Sequence, residues 1–488
     1  MSDSYDLALV GTGFASAFFL HEALRRLPAS SRILVIERGR RVPHAERVAN
    51  QRRPPAERKE MTPPAESLYG QRSGVRKTWM PSATFGGGSN CWWACTPRML
   101  PEDFLMRSRY GVGSDWPVGY DALEEDYLSA ERLMAVSGPS EGPFPRSAPY
   151  PQPPHRFSEP ERILKAAFPD HFFHQPCARP TRAVASGRPA CCASGVCGLC
   201  PIDSKFTIEN EMSGLFEDPR VTLELSCAAQ AVEVAGGRAT GVRYTAEGGR
   251  EGVARANLVA LGAGAMFNPW LLLRSGLGGS GVGEGLVEQT SVTARVDLDG
   301  VDNFQGSTAI TGNGYMFYSG EHRALHAAAL VETASWPSLR AERGRWRQRL
   351  EIKLIFEDLR EARNRVTQDT EQPSKPSALF AGRSAYCQRG IDQIPALLKR
   401  LLAPLPVTDV WLSEPSDTEG HILGTTVMGD DPTLSVVDAG LVHHRVRNLV
   451  LLGSGAFPTA APANPTLTLC ALSLRSARRL LSSRGEVA

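Results

Sequence analysis

Three groups of residues in this 488-residue chain could do chemistry. The first is Gly11 and Gly13, set between an apolar run, Tyr5 to Val10, and a helix-forming stretch, Ala17 to Leu27. Gly11 permits a tight turn, and Gly13 lets the backbone approach a pyrophosphate. The helix N-terminus behind them offers N–H groups and the positive end of its dipole. Ser16 replaces the usual third glycine and is small enough for close helix–strand packing. Glu37 ends a second strand, Arg32 to Glu37, where an acid can accept hydrogen bonds from ribose hydroxyls and speaks against a 2′-phosphate. The turn alone does not separate FAD from NAD. The second group is a cysteine run: Cys191, Cys192, Cys197 and Cys200. Thiolates are soft ligands suited to iron–sulfur clusters or zinc. Adjacent Cys191 and Cys192 cannot easily both face one ion, which argues against a simple zinc knuckle; disulfides or metal-free thiols are the other alternative. The third is His421. A histidine titrating near neutrality can take a hydroxyl proton, although by residue type alone His421 reads more readily as structural.

These residues need elements to position them. The strand, glycine turn, helix and second strand over residues 5–37 form the unit that opens a parallel sheet. Residues 40–80 are polar, basic and proline-containing and are expected to form an extended excursion; residues 136–160 should run over the surface. Val221 to Tyr244 reads as β-structure with a turn at Gly236 and Gly237. Asn257 to Leu261 is a buried strand, followed by Gly262-Ala263-Gly264 and a helix through Leu273. Residues 291–410 lack the dinucleotide pattern and form a separate block of mixed signals. Asn448 to Leu452 returns to a buried strand, and Leu467 to Leu481 closes as a helix. No repeat of 20 to 50 residues is evident.

Composition narrows the function classes. Lysine plus arginine (54) nearly balances aspartate plus glutamate (52), a formal +2, so neither nucleic acid nor an acidic membrane is indicated as the main partner. The chain starts polar and acidic, without the basic and longer apolar stretches of a secretory leader, and no apolar run approaches the ~20 residues of a membrane span. The expected location is cytoplasmic, with cysteines reduced or metal-bound. Export would require a signal-bearing partner subunit.

Several segments together resemble the glucose–methanol–choline (GMC) oxidoreductase family. They are His421 to Gly429, Ser435 to Asp438, Asn448 to Ser454, Phe457-Pro458-Thr459 and Asn464 to Thr468. Gly86 to Asn90 with Trp92 and Arg98 resembles the family's flavin-covering loop. Gly262-Ala263-Gly264, with Asn268-Pro269 and Leu271 to Ser275, resembles its second glycine segment. Tyr110 to Gly113, Asp115-Trp116-Pro117 and Tyr120 to Glu124, with the cysteine run from Gly187 to Pro201, resemble the catalytic subunits of bacterial FAD-dependent glucose, gluconate and fructose dehydrogenases. The loop Gly87 to Trp92 also resembles that of pyranose oxidase. One departure stands out: where the family usually has Gly-x-Asn-Leu-x-Asp-His, this chain has Gly283 to Gln289, ending Glu288-Gln289.

The resemblance implies an α/β fold with a Rossmann-like FAD-binding domain and a substrate domain built on an antiparallel sheet with helices. The FAD domain would comprise residues 1–100, 206–290 and 411–488. Residues 101–205 would hold the flavin-covering excursion and the cysteine-rich segment, and residues 291–410 would bind substrate. It implies a dehydrogenase acting on a CH–OH group of a sugar, glycoside or related polyol, with His421 as base and Asn464 as its hydroxyl-positioning partner. Gly11, Gly13, Ser16, Glu37, Gly87, Ser89, Asn90, Cys91, Val232, Ser454, Gly455, Pro465 and Thr466 are the expected cofactor contacts. Cys91 stands where pyranose oxidase links its flavin through histidine; a packed thiol is the plainer reading. The relatives' cysteine pattern carries a three-iron four-sulfur (3Fe-4S) cluster, so Cys191, Cys192, Cys197 and Cys200 are candidate ligands, one of them spare, although the last gap here is one residue shorter. Such a cluster would pass electrons to an external acceptor or subunit. An oxygen-using oxidase without a working cluster and a non-redox lyase on the same scaffold are the alternatives.

Overall fold

The computed structural model describes residues 4–72, 75, 77–336, 338–369, 371–416 and 418–485. Its centre is a seven-stranded sheet. Val221–Glu224, Ile33–Ile36, Tyr5–Val10 and Glu251–Leu261 lie side by side in parallel, and Leu449–Leu451 adds to Glu251–Leu261 beyond them. Ala228–Ala235 and Arg238–Thr245 complete it as an antiparallel hairpin on the first half of Glu251–Leu261. The middle strands read as continuous apolar runs, as strands covered on both faces must. All four residues of Ile33–Ile36 are buried.

The helix Phe14–Arg26 begins directly after the glycine turn, three residues earlier than the apolar pattern suggests. Ala15, Phe18, Phe19 and Ala23 are buried, and the C-terminal helix Thr466–Gly485 packs alongside. Arg478 pairs with Glu22 across the two helices at 3.3 Å. The role of Ser16 is visible here. Its Oγ donates to the Val10 carbonyl (3.3 Å) and occupies the space where a Cβ on Gly262 would stand. A serine fits in place of the third glycine because the facing strand end supplies a glycine instead.

The second domain is a six-stranded antiparallel sheet in the order 407–412, 290–298, 349–356, 329–334, 310–314 and 172–174. Its edge strand Phe172–His174 comes from the long excursion ahead of the cysteine run. Alternation with period two buries Val292, Ala294, Leu350, Ile352, Leu354 and Val331 against the helix Ile394–Leu402. The opposite face carries polar side chains, among them Lys353 and Glu332, which are directly opposed across neighbouring strands.

A buried arginine ties the excursion to this sheet. Arg323 reaches Glu357 (2.6 Å), Asp103 (2.8 Å) and Glu102 (3.3 Å). Glu357 is followed by Asp358, whose N–H donates to the Ala460 carbonyl at 3.2 Å. The segment leading to Asn464 is therefore braced by the second domain.

Candidate active site

A cleft of about 1240 Å³, open to solvent, runs along the C-terminal edge of the parallel strands. That is where α/β sheets bind ligands. Gly11, Gly13, Glu37, Arg38, Gly87, Gly262, Gly264, Gly453 and Ser454 contribute to its walls. Gly11 has φ +94°, and a Cβ on it would meet the Gly262 carbonyl oxygen at 2.7 Å. The helix Phe14–Arg26 starts from Gly13 with no side-chain cap and no acid in its first turn, so its N-terminal amides are open to an anion. A dinucleotide pyrophosphate fits that end of the cleft.

Glu37 and Thr12 lock this loop together. The Thr12 N–H (3.0 Å) and hydroxyl (2.8 Å) both donate to one Glu37 oxygen, and the Gly39 N–H (2.8 Å) donates to the other. The Thr12 hydroxyl also accepts from the Gly86 N–H at 3.0 Å, joining the loop at Gly86–Asn90 to the glycine turn. Burial raises the Glu37 pKa while these donors lower it. Sequence reasoning passed over Thr12 and Arg38. Arg38 sits 4.3 Å over the Phe267 ring at the cleft wall; the only advance signal for either was adjacency to a motif residue.

Other expected cofactor residues are placed less directly. Ser89 is fully buried; its hydroxyl donates to the Gly86 carbonyl (2.7 Å) and accepts from the Ile208 N–H (3.1 Å), shaping the loop behind Gly87. Asn90 donates to the Phe85 and Gly87 carbonyls, while its own Oδ1 is buried without a hydrogen-bond partner. Cys91 is exposed, with Sγ 3.5 Å from the Gly88 carbonyl. Val232 is buried in its strand, and from that segment Cys227 and Ala229 line the cleft. Gly455 packs on Thr426, whose N–H donates to the Gly455 carbonyl at 2.8 Å. Pro465 directly precedes the C-terminal helix and Thr466 is its first residue.

His421 lies between Gly420 and Ile422, both in the cleft wall. Its N–H donates to Glu288 (2.9 Å), and the same carboxylate oxygen accepts from the Glu419 N–H (2.7 Å) and the Thr418 hydroxyl (2.9 Å). The other Glu288 oxygen pairs with Lys77 at 2.6 Å. His421 Nδ1 is 3.2 Å from Gln289 Oε1. Gln289 Nε2 in turn donates to the carbonyls of Ala461 (2.9 Å) and Ala463 (3.2 Å). Gln289 thus bridges the histidine segment and the segment ending in Asn464. Asn464 is buried, and its Oδ1 has no hydrogen-bond partner. Burial lowers the His421 pKa, with Glu419 and Glu288 opposing and Lys353 assisting.

Cys191, Cys192, Cys197 and Cys200 line one small cavity together with Arg179 and Lys205. Arg179 is buried and donates to Trp93 O, to Gln175 Oε1 (3.2 Å) and to Ile310 O (2.9 Å), all neutral acceptors. Lys205, also buried, donates to the carbonyls of Asn90, Trp92 and Gly198. Buried cations need compensating negative charge. Thiolates carrying an anionic metal–sulfur group suit such a lining. Among the described residues, no group of three or more His, Cys, Asp or Glu side chains is arranged to hold a single metal ion. Lys205 links the Cys197–Cys200 loop to the loop at Asn90–Trp92. Cys95 and Cys177, which carry no signal in sequence, are backbone neighbours in an isolated antiparallel pairing near Arg179, both as free thiols, and Cys95 packs with Cys197.

A glycine-turn cleft on a parallel sheet, joined to an antiparallel second domain, is the arrangement expected of a dinucleotide-dependent oxidoreductase. Residues 360–473, which include His421 and Asn464, match the family model described as GMC oxidoreductase. That C-terminal segment is similar to the GMC oxidoreductases. The chain is 25% identical to the fructose dehydrogenase large subunit of Gluconobacter japonicus, over 98% of each chain. It is 24% identical to the 6'''-hydroxyparomomycin C oxidase of Streptomyces lividus, over 98% of this chain and 91% of that one. In structure it is similar to pyridoxine 4-oxidase from Mesorbium loti (TM-score 0.65, 15% identity, 98% and 99% of the two chains). It is also similar to a formate oxidase variant of Aspergillus oryzae RIB40 (TM-score 0.67, 13% identity, 100% of each). These structural likenesses bear on the fold. Among the described residues no helix is long and apolar enough to cross a membrane.

Proposed function

We propose that the protein is an FAD-dependent dehydrogenase that oxidises a CH–OH group of a sugar, glycoside or related polyol. The observation that supports this reading is that Gly420 and Ile422, on either side of His421, line the cleft, and that His421 is tied through Gln289 to the Asn464 segment. Bound FAD would supply the hydride acceptor. His421 takes the hydroxyl proton, and Asn464 orients the hydroxyl and steadies the developing alkoxide. Because burial lowers its pKa, His421 is neutral and competent at pH 7, and activity falls only below the usual histidine range. The names of the relatives, a fructose dehydrogenase large subunit and a 6'''-hydroxyparomomycin C oxidase, support sugar-type substrates.

The cysteine cavity is the proposed electron exit, holding a 3Fe-4S cluster on Cys191, Cys197 and Cys200, with Cys192 spare because it is exposed. An external acceptor or a partner subunit would take the electrons. The oxidase names among the relatives favour a second reading, in which oxygen is the acceptor. Anaerobic bleaching of the flavin by free ketoses, aldoses, polyols and amino sugars tests the first claim; peroxide formation in air separates the two readings. In His421→Ala, flavin reduction should fall by about 10²–10⁴ while FAD is retained. Near-normal reduction would refute the base assignment.

A further inference from the structure

We infer that Gln289 is a positioning residue that fixes the tautomer of His421, leaving Nε2 as the atom that takes the substrate proton. This rests on the assignment of His421 as the base. The reasoning starts from the amide itself. A glutamine side chain has one acceptor end and one donor end, and its surroundings decide which faces which way. Two backbone carbonyls, of Ala461 and Ala463, stand at 2.9 and 3.2 Å from one terminal atom of Gln289. Carbonyl oxygens only accept, so that atom is the NH₂ group. The reverse orientation would set an amide oxygen against two carbonyl oxygens in a side chain that is 1% exposed. The oxygen therefore faces His421 Nδ1 at 3.2 Å.

An amide oxygen can only accept, so Nδ1 carries the proton. In a neutral imidazole the other nitrogen, Nε2, is then the lone-pair acceptor. The charged groups around the ring cannot set this choice in the same way. Glu288 is spent on backbone N–H groups, the Thr418 hydroxyl and Lys77. Glu419 is bound by Ser291 and by Lys353 (2.9 Å). They bias the ring's charge, whereas Gln289 decides which nitrogen holds the proton. The same residue fixes the distance between the two catalytic segments, because its NH₂ group holds the chain just before Asn464. A glutamine thus occupies the last position of the Gly283–Gln289 departure, where it does work that a histidine ring could do only with its own tautomer fixed.

The test uses the FAD-loaded protein with ¹⁵N-histidine and long-range ¹⁵N–¹H correlation, the His421 signals being those lost in His421→Ala. The wild type should show Nδ1–H. Gln289→Leu should populate Nε2–H, and anaerobic flavin reduction should slow by about 100-fold with substrate half-saturation changed less than about threefold, since tautomer errors in histidine catalysis cost up to about 10⁴. Gln289→Glu, protonated where it faces the two carbonyls, keeps an acceptor at Nδ1 and should retain Nδ1–H. An Nε2–H tautomer in the wild type, or an unchanged Nδ1–H tautomer in Gln289→Leu, overturns the inference. Because the tautomer is read without turnover, failure here is separable from failure of the base assignment, which His421→Ala reports.

Discussion

Replacing Thr12 with valine removes one hydroxyl and almost no volume, yet it should loosen the whole cofactor loop. That hydroxyl donates to buried Glu37 at 2.8 Å and accepts from the Gly86 N–H at 3.0 Å, at a site with no solvent exposure. A hydrogen bond to a charged acceptor contributes about 1.5–3 kcal/mol, and leaving a buried N–H without a partner costs about 1–3 kcal/mol. The expected loss is about 3–5 kcal/mol in stability of the FAD-loaded protein, some of it appearing as weaker FAD retention. The Thr12 N–H still reaches Glu37, so the glycine turn itself should survive. Urea unfolding of the FAD-loaded protein, with FAD content after gel filtration, measures both effects. Thr12→Ser keeps the hydroxyl and should stay within about 1 kcal/mol of wild type, the cost of one lost methyl group. If Thr12→Val also stays within that range, the three-way link between Glu37, Thr12 and Gly86 does not hold the site together.

Two further outcomes follow from buried charge. Glu332 is fully desolvated, and its pKa is raised from 4.5 to about 7. The folded state therefore holds a proton that the unfolded state has released between those values, and the carboxyl's contribution to stability is lost as pH rises through that window. Glu332→Gln keeps an acceptor for Gln175 and should be more stable than wild type by up to about 3 kcal/mol at pH 8 but not at pH 4. Urea midpoints shifted equally at both pH values would contradict this. For the cysteine cavity, protein purified without oxygen should contain iron and sulfide; Cys197→Ser should lose them and exposed Cys192→Ser should keep them, whereas iron-free wild type would remove the proposed electron exit.

The sequence by itself determined the dinucleotide unit. Tyr5 to Val10, the Gly11–Gly13 turn and the buried strands at 33–36 and 449–451 were legible because their patterns are local: apolar runs for buried strands, glycines where φ must be positive. The cysteine run was equally visible, since spacing alone marks it. His421 and Asn464 could be named only through likeness to a family, because nothing within a few residues of either marks it as reactive. What the tertiary structure decided is how distant segments meet. Gln289, a departure from the family pattern in sequence, becomes the bridge between residues 421 and 464. Ser16 is explained by Gly262, 246 residues away along the chain. Arg179 and Lys205 are ordinary basic residues in sequence; only folding buries them beside the thiols, with their hydrogen bonds on neutral acceptors. Hydrogen bonding and desolvation depend on which groups the fold brings within about 3 Å and shields from water, and one strand's pattern cannot encode what arrives from another.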